Sequence, residues 1–372
     1  MTVTPTLTWH SVDLKTGRRG QQLLTQTLGS ISRFIGESSD LSDFAVACWQ
    51  DGAPIPGWDA ATLPGRTMLV ACNELDEPMW GGVVLRRHDS GGIWQGLDVA
   101  SLEAYLDRRY TRDHDFTATA QGAIISAIIT GDVVASGPSI IVDAMSATER
   151  DRTYFDDDDK TVLSVLQELM GVIGGPEFTF DLEWSDDSHT MLNRILRVRD
   201  RLGTAATLPT TRFEFPSPVT SYDYLEDFSS DYGANDILAT SSGEGAARPE
   251  SSHAVATDLI AGGWVTFEER FEPSTSITDL ETLDDHAAAR LAEKKDGLAQ
   301  LDLVSNLDEG PVPNIDFYLG DDITAVITSP RFPEQIGPDG DVIAGYTKTT
   351  RCTGWTIDYD ARTVTPRLLE VG

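Results

Sequence analysis

The pattern of hydrophobic and polar positions predicts strands over most of the first 110 residues. Apolar runs at 68–72 and 80–85 are separated by the turn-forming segment 73–78, as in two neighbouring strands. Leu102, Tyr105 and Leu106 then follow a helical spacing. We therefore expect residues 1–110 to form a β-barrel-like domain that a short helix closes.

Residues 111–205 alternate between helical and strand patterns. Four isoleucines that cover more than one helical face predict a helix buried on both sides, and a second group with i, i+3, i+4, i+7 spacing predicts an amphipathic helix. The first group is Ile124, Ile125, Ile128 and Ile129, and the second is Val162, Val165, Leu166 and Leu169. Predicted strands at 139–144 and 177–184 complete an α+β domain.

Residues 206–372 return to strand patterns, with one helix predicted at 278–296. Thr278 and Glu281 form a T-x-x-E capping box, and Gly297 is a typical stop signal. The expected buried face is Leu280, Leu283, Ala287 and Leu291. The chain is thus predicted to be α+β and mostly β, with two β-barrel-like domains flanking an α+β domain.

Charge changes the picture of possible partners. The 60 acidic and 28 basic residues give a formal charge of −32, which argues against a phosphate-neutralising surface for nucleic acid. A channel through which DNA only passes is compatible with that charge. The sequence has no apolar stretch long enough for a membrane-spanning helix and no secretory signal, so we expect assembly in a cytoplasm.

Motifs for catalysis or metal binding are missing from the sequence. There is no H-x-x-x-H, no G-x-S-x-G and no G-x-x-x-x-G-K, and the three cysteines, Cys48, Cys72 and Cys352, are interpreted as buried apolar residues. We therefore predict no catalytic residue, no cofactor and no metal. Ligands brought together only by the fold are left open. The six histidines are His10, His88, His114, His189, His253 and His286.

Several local features favour structural over functional interpretations. The glycines of 241–250 and the loop 337–341 are interpreted as turns, and the acidic run 156–160 as the solvated start of a helix rather than a calcium loop. Adjacent carboxylates, such as Asp186 with Asp187, are expected in so acidic a chain. Four tryptophans suit the core better than a sugar-binding platform; they are Trp80, Trp94, Trp264 and Trp355.

Segments in a fixed order carry a resemblance to a known family. Residues 77–110 contain Trp80, Gly82 and Val83, followed by a helix with the pattern YL-x-R-R. The stretches 161–184 and 221–245 follow, with Ser241 and Ser242 as mild departures, and then Gly320 and Asp321. Together these segments resemble the tail hub family of siphovirus minor tail proteins, which is related in fold to the baseplate hubs of contractile tails.

The resemblance implies a structural role at the tip of a virion tail. It implies a homotrimer whose two barrel-like domains per chain make a pseudo-sixfold ring, joining a sixfold tail tube to a threefold tip. Expected neighbours are the distal tail protein, the tape measure protein and tail-tip or receptor-binding proteins. Genomic DNA would pass through the ring without specific binding, along a wall that is neutral to negative. Because the chain ends soon after its last predicted strand, we expect no fused enzyme.

Two other functions remain open at this stage. A tail-associated cell-wall hydrolase requires two carboxyl groups within about 10 Å in an open cleft, one of them with a raised pKa. A glycan receptor-binding module requires at least two Trp or Tyr rings exposed on one face.

Overall fold

The computed structural model describes residues 6–172, 174–241, 248–273, 279–337, 342–343 and 345–369. The strands are β1 (Thr8–Asp13), β2 (Arg19–Leu23), β3 (Ser30–Phe34), β4 (Asp40–Ala47), β5 (Trp49–Gln50), β6 (Ala53–Pro54), β7 (Thr67–Cys72), β8 (Pro78–Asp89), β9 (Trp94–Ser101), β10 (His114–Ala120), β11 (Ile141–Met145), β12 (Glu149–Tyr154), β13 (Glu177–Trp184), β14 (Leu192–Arg199), β15 (Arg212–Phe215), β16 (Val219–Asp227), β17 (Asp236–Ala239), β18 (Ala254–Val255), β19 (Glu268–Phe271), β20 (Leu298–Asn306), β21 (Asp322–Ile327), β22 (Gln335–Ile336), β23 (Val342–Ile343), β24 (Tyr346–Asp358) and β25 (Thr363–Leu368).

The helices are α1 (Trp58–Ala61), α2 (Leu102–Leu106), α3 (Gln121–Ile128), α4 (Val162–Met170), α5 (Thr257–Ala261) and α6 (Leu280–Lys294). A π-helical turn, Ile129–Val134, continues α3, and a 3₁₀ turn, Asp156–Asp158, precedes α4. The prediction of a mostly β chain is confirmed. In the part of the chain that the structure describes, no helix combines the length and apolar character needed to cross a membrane.

Contacts divide the chain into two compact units. The larger contains 1–221 and 303–367, and the smaller contains 222–302 and 368–372. The chain leaves the larger unit within β16 and returns to it within β20. The larger unit contains strands of the large sheets of both predicted β domains. The three-domain division expected from the sequence stays a prediction.

The first sheet closes on itself. Its strand order is β2-β1-β7-β8-β9-β4, and the segment that follows β2 pairs with the free edge of β4 through the bonds Gln26 N to Ala45 O (2.9 Å) and Ala47 N to Leu24 O (2.8 Å). Closure leaves neither outer strand with an open edge at this point. The buried rings of Trp9, Phe44 and Trp80 fill the interior, with centroids 4.6 and 6.1 Å from that of Trp9.

A single core joins this barrel to the predicted α+β region. One cluster of buried residues includes Val12 and Met68 from the barrel together with Ile125 of α3, Leu166 of α4 and Val198 of β14. The two predicted helices are confirmed, and all eight of their pattern residues are buried. Thr161 caps α4 by accepting a hydrogen bond from Ser164 N (3.2 Å). The exposed aspartates of the 3₁₀ turn lie just before α4, as the sequence predicts.

The second large sheet has the order β15-β21-β24-β25-β20-β16. Only residues 216–218 connect its outer strands β15 and β16, so the sheet curls back toward itself. The long strand β24 lies beside β25 and also pairs with two further strands at different points along its length. Asp322 of β21 pairs with Arg351, and Ile31 of β3 pairs with Ile357. Strand β3 thereby joins the N-terminal region to the sheet formed by the last third of the chain.

The smaller unit contains α6 packed on the sheet β18-β17-β19. Its core includes Ile237, Leu283 and Ala287, whereas Leu280 is exposed. The expectation that Leu280 lies on the buried face is therefore wrong. Asp279 caps α6 by accepting from Thr282 N (2.9 Å), and the helix ends at Lys294 rather than at 296. Thr278 lies outside the described residues.

Candidate functional site

The larger unit contains a cleft of about 440 Å³ with charged side chains on its wall. On its wall, Arg33 of β3 donates to the backbone oxygen of Phe180 (2.7 Å) and to Asp181 Oδ1 (2.6 Å). Asp181 Oδ2 accepts from Arg197, which also donates to Glu183 Oε1 (2.6 Å). Alternation along β13 places Asp181 and Glu183 on the same side of the sheet, so the strand period itself builds this charged wall.

The pKa values of two carboxyl groups in the cleft, Asp181 and Glu103, are shifted in opposite directions. Burial of Asp181 alone would raise its pKa, but the guanidinium groups of Arg33 and Arg197 outweigh burial and hold that pKa below its usual value. Burial raises the pKa of Glu103, which lies on α2 and is buried, although its bonds to Ser101 and to Phe180 N oppose the shift. One carboxyl with a raised pKa beside an ionised one is the pattern that a glycoside hydrolase uses.

The bonding of these carboxyl groups is nevertheless structural. Both oxygens of Asp181 are held by arginines, and Glu103 accepts from the backbone N of Phe180 (3.2 Å), which ties α2 to β13. A general acid or base must bring a carboxyl oxygen to the reacting group. Asp181 offers no free oxygen in this arrangement and Glu103 is buried, so the cleft supports the interpretation of an ion-paired seam between β3 and β13.

A second cluster of polar side chains forms where β1, β2 and the β7–β8 turn meet the β13–β14 hairpin. Arg19 donates to both oxygens of Asp76, at 2.6 and 2.7 Å, and its guanidinium lies 4.7 Å from the Trp184 ring centroid. His189 lies 2.8 Å from Asp76 and stacks on Trp184. The Arg19 contact lowers the pKa of Asp76 to about 2. The cluster joins the first sheet to the hairpin.

The same cluster contains a set of possible metal ligands. Ligand atoms of His10, Cys72 and Asp76 lie within 4.8 Å of one another. The Arg19 guanidinium already supplies a cation there, with Nη2 2.9 Å from His10 Nε2, and burial raises the pKa of the Cys72 thiol to about 12. A metal ion would compete with Arg19 for Asp76 and would need the Cys72 thiolate. The donor set therefore does not fit a metal.

The structure separates the four tryptophans that the sequence groups together. Trp80 and Trp355 are buried, and Trp80 donates to Ser39 Oγ (3.1 Å). Trp94 is half-buried, whereas Trp264 is 44% exposed. The core interpretation is thus correct for Trp80 and Trp355 and wrong for Trp264. Among the cysteines, Cys72 and Cys352 are buried as expected, but Cys48 is only partly so.

Trp264 belongs to a group of three neighbouring rings in the smaller unit, which we call the aromatic patch: Phe228, Trp264 and Phe267. The half-buried Phe228 ring meets the other two edge-on, with centroids 5.0 and 5.2 Å away. The short segment between Trp264 and Phe267 also exposes Val265. The strand-like spacing of this segment predicts burial, but Gly262 and Gly263 end α5 just before it and turn the chain outward.

Two glycine-containing segments that the sequence analysis interprets as turns contain residues outside the described part of the structure. These are Gly243 and Gly245 in the first, and most of the loop 337–341 in the second.

Solved structures of phage tail proteins match this chain over nearly its whole length. The tail protein from Neisseria meningitidis MC58 matches with a TM-score of 0.54 and 13% identity, covering 98% of this chain and 96% of that one. The 43 kDa tail protein of prophage MuSo2 from Shewanella oneidensis gives 0.59 and 10%, covering 98% of both. Prophage tail protein gp18 from Listeria monocytogenes EGD-e gives 0.50 and 9%, covering 96% and 94%.

This chain has the fold of phage tail proteins. No protein-family model and no curated protein matches its sequence. The order of weak sequence similarities described above anticipated that fold, and the structural likeness confirms it. In a tail-protein fold, the ion-paired seam and the Arg19 cluster are most simply understood as joints that hold the sheets together.

Proposed function

We propose that this protein is a structural subunit of a phage tail, and more specifically the hub at the distal end of a siphovirus tail. The observation that carries the proposal is the match to tail proteins over nearly the full length of both chains. A match of this extent includes both large sheets and the smaller unit, rather than one common domain. In this proposal the protein is not an enzyme.

In the proposed assembly, three chains form a ring that joins the sixfold tail tube to a threefold tip. Each chain contributes two barrel-like sheets, and three chains thus supply six similar elements. The closed first sheet and the curled second sheet support this arrangement. The neighbours would be the distal tail protein, the tape measure protein and tail-tip or receptor-binding proteins, and DNA would pass through the centre during ejection.

The mass of the purified protein in solution tests the ring. Mass photometry and multi-angle light scattering over the nanomolar to micromolar range should detect a species of three times 40.5 kDa, and negative-stain images should show threefold rings. A protein that stays monomeric throughout this range would contradict the proposed trimer.

Incubation with cell-wall preparations tests the structural role. The wild type and Glu103→Gln should release sugars and peptides no faster than buffer does. Release by the wild type that Glu103→Gln abolishes would establish the hydrolase alternative, with Glu103 as its acid.

A further inference from the structure

The aromatic patch is held in a fixed shape by its surroundings. Asn235 is fully buried, donates from Nδ2 to Val265 O (2.9 Å) and accepts at Oδ1 from Phe267 N (2.7 Å). Trp264 N donates to Leu259 O (3.1 Å). Three hydrogen bonds therefore hold the segment that exposes Trp264 and Phe267. Because the segment is already ordered, a partner that binds there loses little affinity to the entropy of ordering it.

Phe228 is equally fixed from the other side. A Cβ atom on Gly233 would lie 2.4 Å from the Phe228 ring, and one on Gly297 would lie 2.9 Å from it. Both contacts are far below van der Waals distance, so the ring occupies space that only glycine leaves open at these positions. The position of the Phe228 ring beneath the patch is therefore fixed by its packing against these two glycines.

The smaller unit, which carries the patch, is strongly acidic. Within the described residues of 222–302 there are 17 Asp and Glu against 5 Lys and Arg, and Asp227 and Glu268 directly adjoin Phe228 and Phe267 in sequence. Two of the few cations are already used, since Arg290 and Lys294 both pair with Glu269. An apolar patch with an acidic border is complementary to an apolar surface bordered by cations.

We propose that the aromatic patch is a docking site for a basic protein segment that carries aromatic or large aliphatic side chains between lysines or arginines. A second copy of this chain is a poor occupant, because it would bring the same acidic border to the contact. A glycan could stack on the same rings, and the variant experiment below distinguishes it from a peptide. This inference goes beyond the tail-hub role and does not depend on the trimer.

Binding of defined peptides to the full-length protein tests the site. The probe is a short fluorescent peptide in which Lys alternates with Phe, and its matched controls alternate Lys with Ser and Glu with Phe. Measurements at physiological ionic strength, where charges are screened over about 8 Å, limit binding by charge alone. The Lys–Phe peptide should bind, and both controls should bind at least about tenfold more weakly.

Matched variants locate the binding on the protein. Trp264→Ala should weaken the Lys–Phe peptide at least about tenfold, as loss of a central aromatic anchor does. Trp49→Ala removes a ring of nearly equal exposure, 43%, from the other unit and should change nothing. Equal loss in both variants, or equal binding of the Lys–Ser peptide, would overturn the proposal.

The Trp264→Ala variant also tests the two alternative occupants of the patch, a second copy of this chain and a glycan. Self-association that Trp264→Ala abolishes would assign the patch to a second copy. Oligosaccharide binding that Trp264→Ala abolishes would assign it to a glycan. Either result overturns the proposed partner, whereas a monomeric wild type that still binds the Lys–Phe peptide through Trp264 would contradict only the trimer.

Discussion

Arg351 on β24 and Glu177 on β13 form a two-pronged ion pair inside the larger unit. The two terminal nitrogens of Arg351 donate to the two oxygens of Glu177, and Arg351 also donates to the backbone oxygens of Gly320 (3.1 Å) and Leu202 (2.8 Å). Glu177 in turn accepts from Leu202 N (2.7 Å). Side-chain exposures of 15% and 17% make this a largely desolvated contact.

Arg351→Ala should lower the free energy of unfolding by about 3 kcal/mol, because it leaves the Glu177 carboxylate buried without its partner. Arg351→Lys should cost less, since it keeps the charge but loses the planar fork. Chemical denaturation followed by tryptophan fluorescence measures both. The control is Arg367→Ala, which breaks the half-exposed pair with Glu37 and should cost no more than about 1 kcal/mol; equal losses in the two alanine variants would contradict the assigned role.

Ala287→Asp should destabilise the smaller unit by several kcal/mol, because a charge would be buried without a partner. Ala287 is fully buried in the same cluster as Leu283 and Ile237. The neighbouring Ala288 is exposed on α6, so Ala288→Asp is the matched control and should melt close to the wild type. Wild-type melting of Ala287→Asp would show that another face of α6 is buried.

Acid should weaken the fold through His10. Burial, aided by Arg19, lowers the pKa of His10 from 6.5 to about 4. Between these values the unfolded chain binds a proton that the folded chain does not, so this contribution is complete above pH 6.5 and is lost as pH falls toward 4. The unfolding free energy of His10→Gln should therefore fall less than that of the wild type between pH 7 and pH 5. Identical slopes in His10→Gln and the wild type would refute the linkage.

The acidic surface predicts that the protein does not hold DNA. Each phosphate contact adds salt-dependent affinity, and a chain of net charge −32 has few cations to make one. Electrophoretic mobility of duplex DNA should be unchanged by the protein even at low salt, where such contacts are strongest. A retarded complex that dissociates steeply with added salt would reveal a phosphate-binding surface and contradict this prediction.

Local patterns predicted the helices well, for physical reasons that particular residues show. Leu166 and Leu169 of α4 repeat at helical spacing because one face of that helix contacts the core, and the four isoleucines of the α3 region are buried all round. The cap of α6 was harder to place. Thr278 and Asp279 both suit an N-cap, and the sequence does not show which backbone N–H each side chain can reach.

The clusters could not be predicted, because the fold assembles them from distant positions. His10 and Asp76 meet through the register of β1 with β7, where Thr8 pairs with Cys72, and Arg19 enters from the next strand. The spacing of these residues along the sequence does not indicate that they are close in the fold. The aromatic patch was missed for a different reason: Trp264 sits in an alternating pattern that resembles a buried strand, and the signal against it was the pair of glycines just before it.

The shared strand β24 ties the completion of folding to protein synthesis. Ser32 and Thr356, which face each other across β3 and β24, are 324 positions apart. At ribosomal speeds, β3 waits on the order of tens of seconds for its partner. Throughout that time its edge is open, and the fully buried Ile31 still lacks its cross-strand neighbour Ile357. A nascent chain released early would carry this open edge into the cell, and only a chain translated beyond residue 358 can cover it.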